Sequence, residues 1–295
     1  MDAADLRVFE AVARLGGMNR AAASLNTVQS NVTARIRRLE EELGAPLFDR
    51  HSRGVSLTVA GRRLLPYAGA VDQLIGDARR AVVDDGEPKG LLTVGSLETT
   101  AALRLAPVLA TYAAAFPEVD LVLRTGTTAE LIEAVLARRL EGAFVCGPVD
   151  HPELEQEIVF HEELAIASAP SVTSLDQLSQ KRDLKIVVLR AGCSYRQRLE
   201  EILARRGIVG LRQLEFGTLE AIVGCVAASL GVTLLPKGVL DAARREGRIA
   251  VHDLAADEAR VETLFIRRRD VFVSSALTAF LDGARPALVE ARAAE

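Results

Sequence analysis

The feature that most constrains the fold is residues 28–43, an amphipathic helical segment that directly follows a tight turn at residues 26–27. Its apolar residues recur at three- and four-residue steps and predict one buried stripe. They are Val32, Ile36, Leu39 and Leu43. The other face combines hydrogen-bonding groups with guanidinium groups: Gln29, Ser30, Thr33, Arg35 and Arg37.

Two shorter helical segments precede this one, at residues 5–15 and 20–25. The first ends at Gly16-Gly17, and the second contains a run of three alanines that allows close helix packing. This order predicts a helix-turn-helix, whose last helix enters the DNA major groove. Residues 47–58 then alternate in character, and Ser52-Arg53-Gly54 reads as a hairpin tip, which predicts a winged form with Arg50 and Arg53 near the phosphates.

The charge distribution agrees with a DNA-binding head. Residues 1–80 carry twelve arginines and no lysine against nine Asp and Glu, whereas the whole chain has a formal net charge of -4. Arginine offers a planar fork that suits phosphate oxygens and guanine edges. An uneven distribution of this size also fits chance in a chain with many arginines and four lysines.

Residues 60–84 predict one long helix. Its apolar seam consists of Leu64, Tyr67, Ala68, Val71, Leu74, Ile75, Ala78 and Val82. A seam of this length has no partner nearby in sequence, so we expect a dimerisation helix that links two domains and ends in a hinge at residues 84–88. The alternative is a helix packed on its own winged domain.

The N-terminal sequence closely resembles the signature of LysR-type transcriptional regulators. The matching residues are Phe9, Gly16-Gly17, Ala21-Ala22, Leu25, Gln29 to Thr33, Ile36, Leu39-Glu40, Leu43-Gly44, Leu47-Phe48, Arg50, Leu57-Thr58 and Gly61. The resemblance implies a winged helix-turn-helix, a linker helix that pairs antiparallel with a second subunit, and a co-inducer domain shaped like a type 2 periplasmic binding protein.

The resemblance also implies roles for individual residues. Gln29, Ser30, Asn31, Thr33 and Arg35 would meet the major groove, with Arg37 on the same helix, and Arg50 and Arg53 would meet the backbone or minor groove. The family often has Pro and Ser where this chain has Ser30 and Thr33. This departure concerns base preference rather than DNA binding.

From residue 90 onward, short β-rich runs alternate with helical stretches, which predicts an α/β fold with parallel strands. Residues 155–168 read as a strand crossing into a second lobe, and residues 261–268 as the return. We expect a winged helix-turn-helix at 1–59, a linker and hinge at 60–89, and a two-lobed effector domain at 90–295. Its first lobe would hold about 90–161 and 267–295, and its second about 162–266.

In such sheets ligands bind beyond the carboxyl ends of the strands, against helix N-termini. The predicted effector-binding residues are Ser96, Thr99, Thr100, Thr127, Thr128, Cys193, Ser194, Phe216 and Thr218. Hydroxyls and free backbone N–H groups there form an anion site without Lys or Arg, which favours an effector with a carboxylate or another oxyanion. Each Ser or Thr taken alone also reads as an ordinary helix cap.

Two other function classes remain open from the sequence. Cys193 precedes a helix next to Arg196, which favours a lowered pKa and a thiol sensor, and its position is similar to that of the reactive cysteine in peroxide-sensing members of the family. Those members carry a resolving cysteine soon afterwards, whereas residues 194–206 contain none. An enzyme using the α/β body would need a nucleophile elbow, phosphate loop, dinucleotide fingerprint or metal cluster, and the sequence has no such motif.

The expected partners follow from this interpretation. They are a partly palindromic double-stranded promoter site, a small effector molecule, a second copy of the chain through the linker helix, a homotetramer and RNA polymerase. We expect no cofactor and no metal, because the three cysteines are scattered and no His pairs with a Cys at metal spacing. The sequence has neither an apolar run long enough to span a membrane nor a secretory signal, so we expect a cytoplasmic protein.

Overall fold

The computed structural model describes residues 1–51, 54–179 and 183–284. The chain forms two units, one from Met1 to Asp84 and the other from Asp85 onward. The first unit has its own hydrophobic core, and further cores lie within the second.

The first unit has the predicted order of three helices, a hairpin and a long helix. Its elements are α1 (Ala3–Leu15), α2 (Met18–Ser24), α3 (Gln29–Leu43), β1 (Phe48–His51), β2 (Gly54–Leu57) and α4 (Val59–Val83). The Asp2 side chain begins α1 by accepting a hydrogen bond from the backbone N–H of Asp5 at 2.8 Å. Gly16 and Gly44 end α1 and α3 with left-handed φ angles of 64° and 66°.

The core of the first unit is built from the apolar faces of these helices. Phe9 of α1 and Ile36 and Leu39 of α3 are fully buried. The ring centroid of Phe9 lies 5.3 Å from that of Phe48 in β1, which brings the hairpin onto the helices. Leu43, which we predicted in the same stripe, is instead 41% exposed because α3 ends there, beyond the edge of the core.

The Glu40 side chain of α3 holds the hairpin through hydrogen bonds from backbone N–H groups. The Glu40 carboxylate accepts hydrogen bonds from the backbone N–H groups of Leu47 at 2.7 Å and Phe48 at 3.2 Å. A Cβ atom at Gly61 would lie 2.2 Å from the carbonyl oxygen of Leu47, so the start of α4 can approach this strand only with glycine at that position. The spacing of these residues in sequence thus fixes how the wing docks.

The apolar seam of the linker helix α4 is only partly covered within the first unit. Leu64 and Ala68 pack on the core of the first unit. Tyr67, Leu74 and Val82 are exposed at 70%, 53% and 84%. One part of the apolar seam is therefore covered by the helix's own unit, and another part is open.

The second unit has the expected alternation of strands and helices. Its strands are β3 (Gly90–Ser96), β4 (Val119–Thr125), β5 (Gly142–Cys146), β6 (Leu154–Ser168), β7 (Lys185–Leu189), β8 (Arg212–Phe216), β9 (Thr233–Pro236), β10 (Ala250–His252) and β11 (Arg260–Arg268). Strand β3 pairs in parallel with β4 and β5, and β7 pairs in parallel with β8. Strands β6 and β11 are antiparallel.

The helices of the second unit follow the ends of these strands. They are α5 (Glu98–Thr100), continuing into a π-helical turn (Ala101–Leu105), α6 (Ala106–Ala115), α7 (Thr128–Leu136), α8 (Asp176–Ser179), α9 (Ser194–Arg205), α10 (Leu219–Ala227), α11 (Lys237–Arg245), α12 (Ala256–Ala259) and α13 (Ser275–Ala284). The helix predicted at 275–291 is described as far as Ala284, and its remaining residues lie outside the described part of the chain.

The long strand β6 joins two lobes. Residues 154–163 pair with β11, and residues 164–168 pair with β9 and β10. We call the part with β3, β4, β5 and β11 the first lobe and the part with β7 to β10 the second lobe. The return strand predicted at residues 261–268 corresponds to β11, which pairs with β5 from Thr263 and with β6 from Arg260, so the lobe boundary that we placed at about residue 267 lies inside this strand.

Two sets of contacts secure the helices of this unit. In the first lobe, the Tyr112 hydroxyl donates a hydrogen bond to the carbonyl oxygen of Ala276 at 2.8 Å, which joins α6 to α13. In the second lobe, Arg206 at the end of α9 donates to the Glu258 carboxylate of α12 at 3.0 and 2.6 Å. The far end of α9 is thereby fixed beside the segment that returns to the first lobe.

Candidate functional site

The first turns of α3 lie at the centre of a polar, basic surface of the first unit. Gln29 and Thr33 line two adjoining grooves, one along α3 and one between the start of α2 and the hairpin. Other hydrogen-bonding or cationic residues of these grooves are Ser30, Arg37, Arg20 and Arg50. Five of the predicted DNA-contacting residues thus share one surface, namely Gln29, Ser30, Thr33, Arg37 and Arg50, whereas Arg20 was not predicted.

The Thr33 hydroxyl is buried and has no hydrogen-bond partner among the described residues. A buried hydroxyl without a partner is costly, and a ligand that supplies one removes that cost. Asn31, also predicted to meet DNA, donates from its side chain to the Thr27 hydroxyl at 3.0 Å. Asn31 is therefore tied to the turn before α3 and is absent from the lining of both grooves.

The structure gives Arg35 a different role from the predicted one. Its guanidinium donates to the Asp5 carboxylate at 2.8 Å, and Arg38 donates to the same carboxylate at 2.6 Å. Burial alone raises the pKa of Asp5, but the hydrogen bonds from Arg38 and Arg35 outweigh it and hold this pKa below its ordinary value. Arg35 therefore joins α3 to α1, and its nearest charged partner lies inside the protein.

The other arginines predicted to contact DNA are Arg37, Arg50 and Arg53. Arg37 and Arg50 are exposed. The Arg37 guanidinium lies 3.8 Å from Glu41, a contact between exposed groups that contributes little to stability. Arg53, predicted beside Arg50, lies outside the described residues.

The second unit contains a cavity of about 360 Å³ at the ends of its strands. Predicted residues that line it are Thr99, Thr127, Thr128, Cys193, Ser194 and Thr218. Three other predicted residues are absent from its lining. Ser96 is fully buried and donates to the carbonyl oxygen of Leu97 at 2.9 Å, Thr100 is buried, and half-buried Phe216 packs on the core.

Three helices begin at this cavity. Thr127 caps α7 by accepting from the backbone N–H of Glu130 at 3.3 Å, while the Glu130 carboxylate accepts from the backbone N–H of Thr127 at 2.8 Å. Thr218 caps α10 by accepting a hydrogen bond from the backbone N–H of Ala221 at 3.3 Å. Cys193 precedes α9 without a side-chain cap. Helix N-termini favour anions because their first N–H groups have no partner within the helix.

The two lobes touch each other at one side of this cavity. The Ser194 hydroxyl of the second lobe donates to the Thr128 hydroxyl of the first at 3.0 Å. The backbone N–H of Ala129 in α7 donates to the carbonyl oxygen of Gly192 at 3.4 Å. Among the predicted hydroxyls, Thr127 and Thr218 therefore cap helices, and Thr128 and Ser194 join the two lobes.

Charged residues of the cavity were not predicted. Glu98 lies at the start of α5, and Arg190 follows β7. Burial raises the pKa of Glu98, and the nearby Glu220 adds to this, while the backbone N–H of Leu219 and the charge of Arg190 oppose it. Glu98 belongs to the first lobe, whereas Leu219, Glu220 and Arg190, which act on its pKa, belong to the second, so this carboxylate lies close to the second lobe. The signal for Glu98 was its place at the first helical residue after a predicted strand.

Burial disfavours the thiolate form of both cysteines that line the cavity. Cys146 lines the cavity together with Cys193. Burial raises the pKa of Cys146 to about 12 and also raises that of Cys193, although N–H groups of Arg196 and Tyr195 partly oppose the second shift. Peroxides react with thiolates rather than with thiols. These environments therefore disfavour the thiol-sensor alternative, which had rested on a lowered pKa of Cys193.

Within the part of the chain that the structure describes, no group of three His, Cys, Asp or Glu residues could hold a metal ion. No helix of the same residues is both long and apolar enough to cross a bilayer.

Known families match both units. Residues 3–62 match "Bacterial regulatory helix-turn-helix protein, lysR family", and residues 85–288 match "LysR substrate binding domain". The HTH-type transcriptional regulator GltR of Bacillus subtilis (strain 168) is 44% identical over 276 residues, which cover 94% of this chain and 93% of GltR. YofA of the same organism is 43% identical over 282 residues, which cover 96% and 98%.

Solved structures share the fold. A full-length OxyR variant from Pseudomonas aeruginosa has a TM-score of 0.67 at 19% identity and covers 97% of this chain and 94% of its own. Full-length CbnR in complex with its target DNA has a TM-score of 0.66 at 24% identity and covers 97% and 100%. With a helix-turn-helix in one unit, a two-lobed cavity in the other, and relatives that are transcriptional regulators, the chain belongs to the LysR family of DNA-binding transcriptional regulators.

Proposed function

We propose that the first turns of α3 read base edges in a promoter while Arg37, Arg50 and Arg53 meet the phosphates. The observation that carries this is that Gln29 and Thr33 lie where the two grooves of the first unit adjoin. A Gln side chain can donate and accept toward a base edge, whereas guanidinium groups on phosphates position the protein without reading sequence. Arg35 has no part in this proposal because Asp5 holds it.

The test compares two substitutions by fluorescence anisotropy on a promoter fragment recovered from genomic DNA and on a random duplex. Gln29→Ala should weaken only the promoter complex, by about 1–3 kcal/mol, because a base contact is lost. Arg50→Ala should weaken both complexes and lower the salt slope by about one. Arg14→Ala is the matched control, because Arg14 is an exposed residue of α1 that lines neither groove. Equal losses on both duplexes for Gln29→Ala would contradict the assignment.

The proposed DNA-binding form is a dimer joined through α4. Tyr67, Leu74 and Val82 supply exposed apolar surface at steps of seven and eight residues along one helix. Such a stripe suits a second helix, and a two-fold dimer suits a promoter with an inverted repeat. Leu74→Asp should yield monomers in light scattering with a folded first unit, and Arg79→Asp should remain dimeric. A dimeric Leu74→Asp variant would refute this interface, while a homotetramer would need a further surface.

The second unit is proposed to bind a small effector with a carboxylate or other oxyanion. Support comes from the cavity, at which α7, α9 and α10 begin and which Thr128 and Ser194 line with hydroxyls. An effector that binds one arrangement of the lobes better than another shifts the population of that arrangement, which is how it would alter promoter binding. The cytoplasm, where the promoter is accessible, is the proposed location.

The effector site is tested with Ser194→Trp, which fills the cavity. It should abolish the stabilisation that carboxylates give in a thermal-unfolding screen and leave promoter affinity unchanged. Gln197→Trp is the control, because this exposed residue lies on the same helix and does not line the cavity. Loss of DNA binding together with ligand response in Ser194→Trp would mean that Ser194 has a structural role only.

We assign residues 1–59 to DNA binding, 60–89 to the linker and hinge, and 90–295 to the effector domain. The relatives are transcriptional regulators, which favours a role without turnover for this chain as well. RNA polymerase remains a proposed partner that the regulator would contact at its promoter.

A further inference from the structure

The cavity of the second unit carries one group of each charge. The Glu98 carboxylate comes from the first lobe and the Arg190 guanidinium from the end of β7 in the second. The exposed Arg190 guanidinium has no hydrogen bond or ion pair among the described residues, although its charge acts on both Glu98 and Glu130. Glu130 is already committed to the cap of α7. Arg190 is thus a cation at the cavity that still lacks a close anionic partner.

Several hydrogen-bond donors at the cavity lack an acceptor. Helix α9, twelve residues long, begins at the cavity without a side-chain cap. Tyr195 also lines the cavity and is 4% exposed, and its buried hydroxyl, which lies near Thr99, has no hydrogen-bond partner of good geometry among the described residues. A buried hydroxyl, an uncapped helix N-terminus and a free guanidinium together form a binding site for a carboxylate.

The Glu98 carboxylate, in contrast, requires a donor. From the second lobe, the backbone N–H of Leu219 and the charge of Arg190 act to lower the pKa of Glu98, whereas the charge of Glu220 has the same sign as the carboxylate and raises it. A carboxylate has room for about four hydrogen bonds, so most of this capacity is unused. A negatively charged ligand group placed beside Glu98 would be repelled, because like charges at close range disfavour binding.

We infer that the effector is a small amino acid, with its carboxylate at Arg190, Tyr195 and the start of α9 and its ammonium group at Glu98. This inference rests on the proposed effector function of the same cavity and names its ligand class. A cavity of about 360 Å³ lies at the small end of ligand pockets, which suits a molecule of that size. Because Glu98 lies in the first lobe close to groups of the second, an ammonium group bound there would lie between the two lobes.

The experiment uses the full-length chain and isothermal titration calorimetry. The probes are the twenty proteinogenic amino acids, each paired with the acid that lacks the amino group, such as glutamate with glutarate or leucine with 4-methylpentanoate. At least one amino acid should bind, with its amine-free partner at least 30-fold weaker. The ratio within one pair depends on the ammonium group and not on the fraction of folded protein.

Two variants locate the ammonium group. Glu98→Gln should reduce the preference for the amino acid over its amine-free partner to about threefold or less, because the negative charge is gone. Glu133→Gln, which removes an exposed carboxylate from α7 outside the cavity, should keep the full preference. Circular dichroism of Glu98→Gln shows that the variant is folded. An unchanged ratio in folded Glu98→Gln would overturn the placement of the ammonium group and with it the inference.

The outcomes separate this inference from the proposed function. If carboxylic acids without an amine bind, no amino acid does, and Ser194→Trp removes that binding, then the effector cavity stands and the amino-acid class is wrong. If neither class binds, both the amino-acid class and the proposed anionic effector are wrong.

Discussion

Replacing Gly192 by alanine tests the contact that joins the two lobes beside the cavity. Gly192 has a φ of 89°, and a Cβ atom there would lie 2.9 Å from the Thr127 hydroxyl oxygen and 3.0 Å from the Cβ of Ala129. Both neighbours belong to the start of α7 in the first lobe. The new methyl group therefore acts as a wedge between the lobes, in addition to straining its own backbone.

The cost of Gly192→Ala has two parts. A non-glycine residue in the left-handed region costs about 1–2 kcal/mol whether or not the lobes are in contact. The wedge displaces the Thr127 hydroxyl, which caps α7 through the Glu130 N–H, and losing a cap costs about 1 kcal/mol. Only this second part depends on the lobe contact, because separating the lobes relieves it. We therefore expect the contact to open about fivefold more often.

Hydrogen exchange at the Ala129 amide measures this opening, because its N–H donates to the carbonyl oxygen of Gly192. Exchange should be about fivefold faster in Gly192→Ala than in the wild type. Gly207→Ala is the matched control: its φ is 75° and a Cβ atom would have no neighbour within 4 Å, so it carries the backbone strain without the wedge. If Ala129 exchanges at the same rate in both variants, the lobes are not held together at this point and the reasoning fails.

Three further substitutions probe stability. Asp5→Asn should lower the stability of the first unit by about 2 kcal/mol, since hydrogen bonds from Arg35 and Arg38 lose their charged acceptor, and hydrogen exchange in α1 and α3 would detect it; unchanged exchange would contradict the role of this pair. Hydrogen bonds from Arg206 lower the pKa of Glu258 to about 2, so its stabilising effect is complete above pH 4.5 and is lost as the pH falls toward 2. The difference in unfolding free energy between wild type and E258Q should accordingly be about 2–3 kcal/mol at pH 6 and shrink by pH 3, and a difference independent of pH would count against the ion pair. Tyr112→Phe should cost about 1 kcal/mol in thermal unfolding of the second unit, because the carbonyl oxygen of Ala276 loses its donor, and a neutral result would show that water replaces it.

Helical spacing in the first sixty residues predicted the order of elements and the buried stripe of α3, because each helix there buries one face of a small core. The same spacing could not predict which group the Arg35 guanidinium contacts. Its partner Asp5 lies thirty residues earlier, and whether a guanidinium meets DNA or a carboxylate depends on how α1 crosses α3. A residue contact of that kind is a property of packing rather than of local pattern.

The cavity was predicted from the rule that ligands bind where strands end and helices begin. That rule selected the hydroxyls of Thr128 and Ser194, which the structure brings within 3.0 Å of each other. The same rule placed Glu98 and Tyr195 within the candidate segments without selecting them, and it did not include Arg190. The pairing of β6 with strands of both lobes brings these residues to one cavity.

The residues that line the cavity are largely distinct from those that form the core, and this separation affects how the ligand specificity of such regulators can change. Glu98 and Arg190 line the cavity but are half-buried and exposed, respectively, whereas buried apolar residues form the core. Substitutions at exposed positions usually change stability by less than about 0.5 kcal/mol. Mutation can therefore replace the groups that select the ligand without threatening the fold, so duplicated copies of such a gene can acquire new signals in single viable steps while the scaffold stays unchanged.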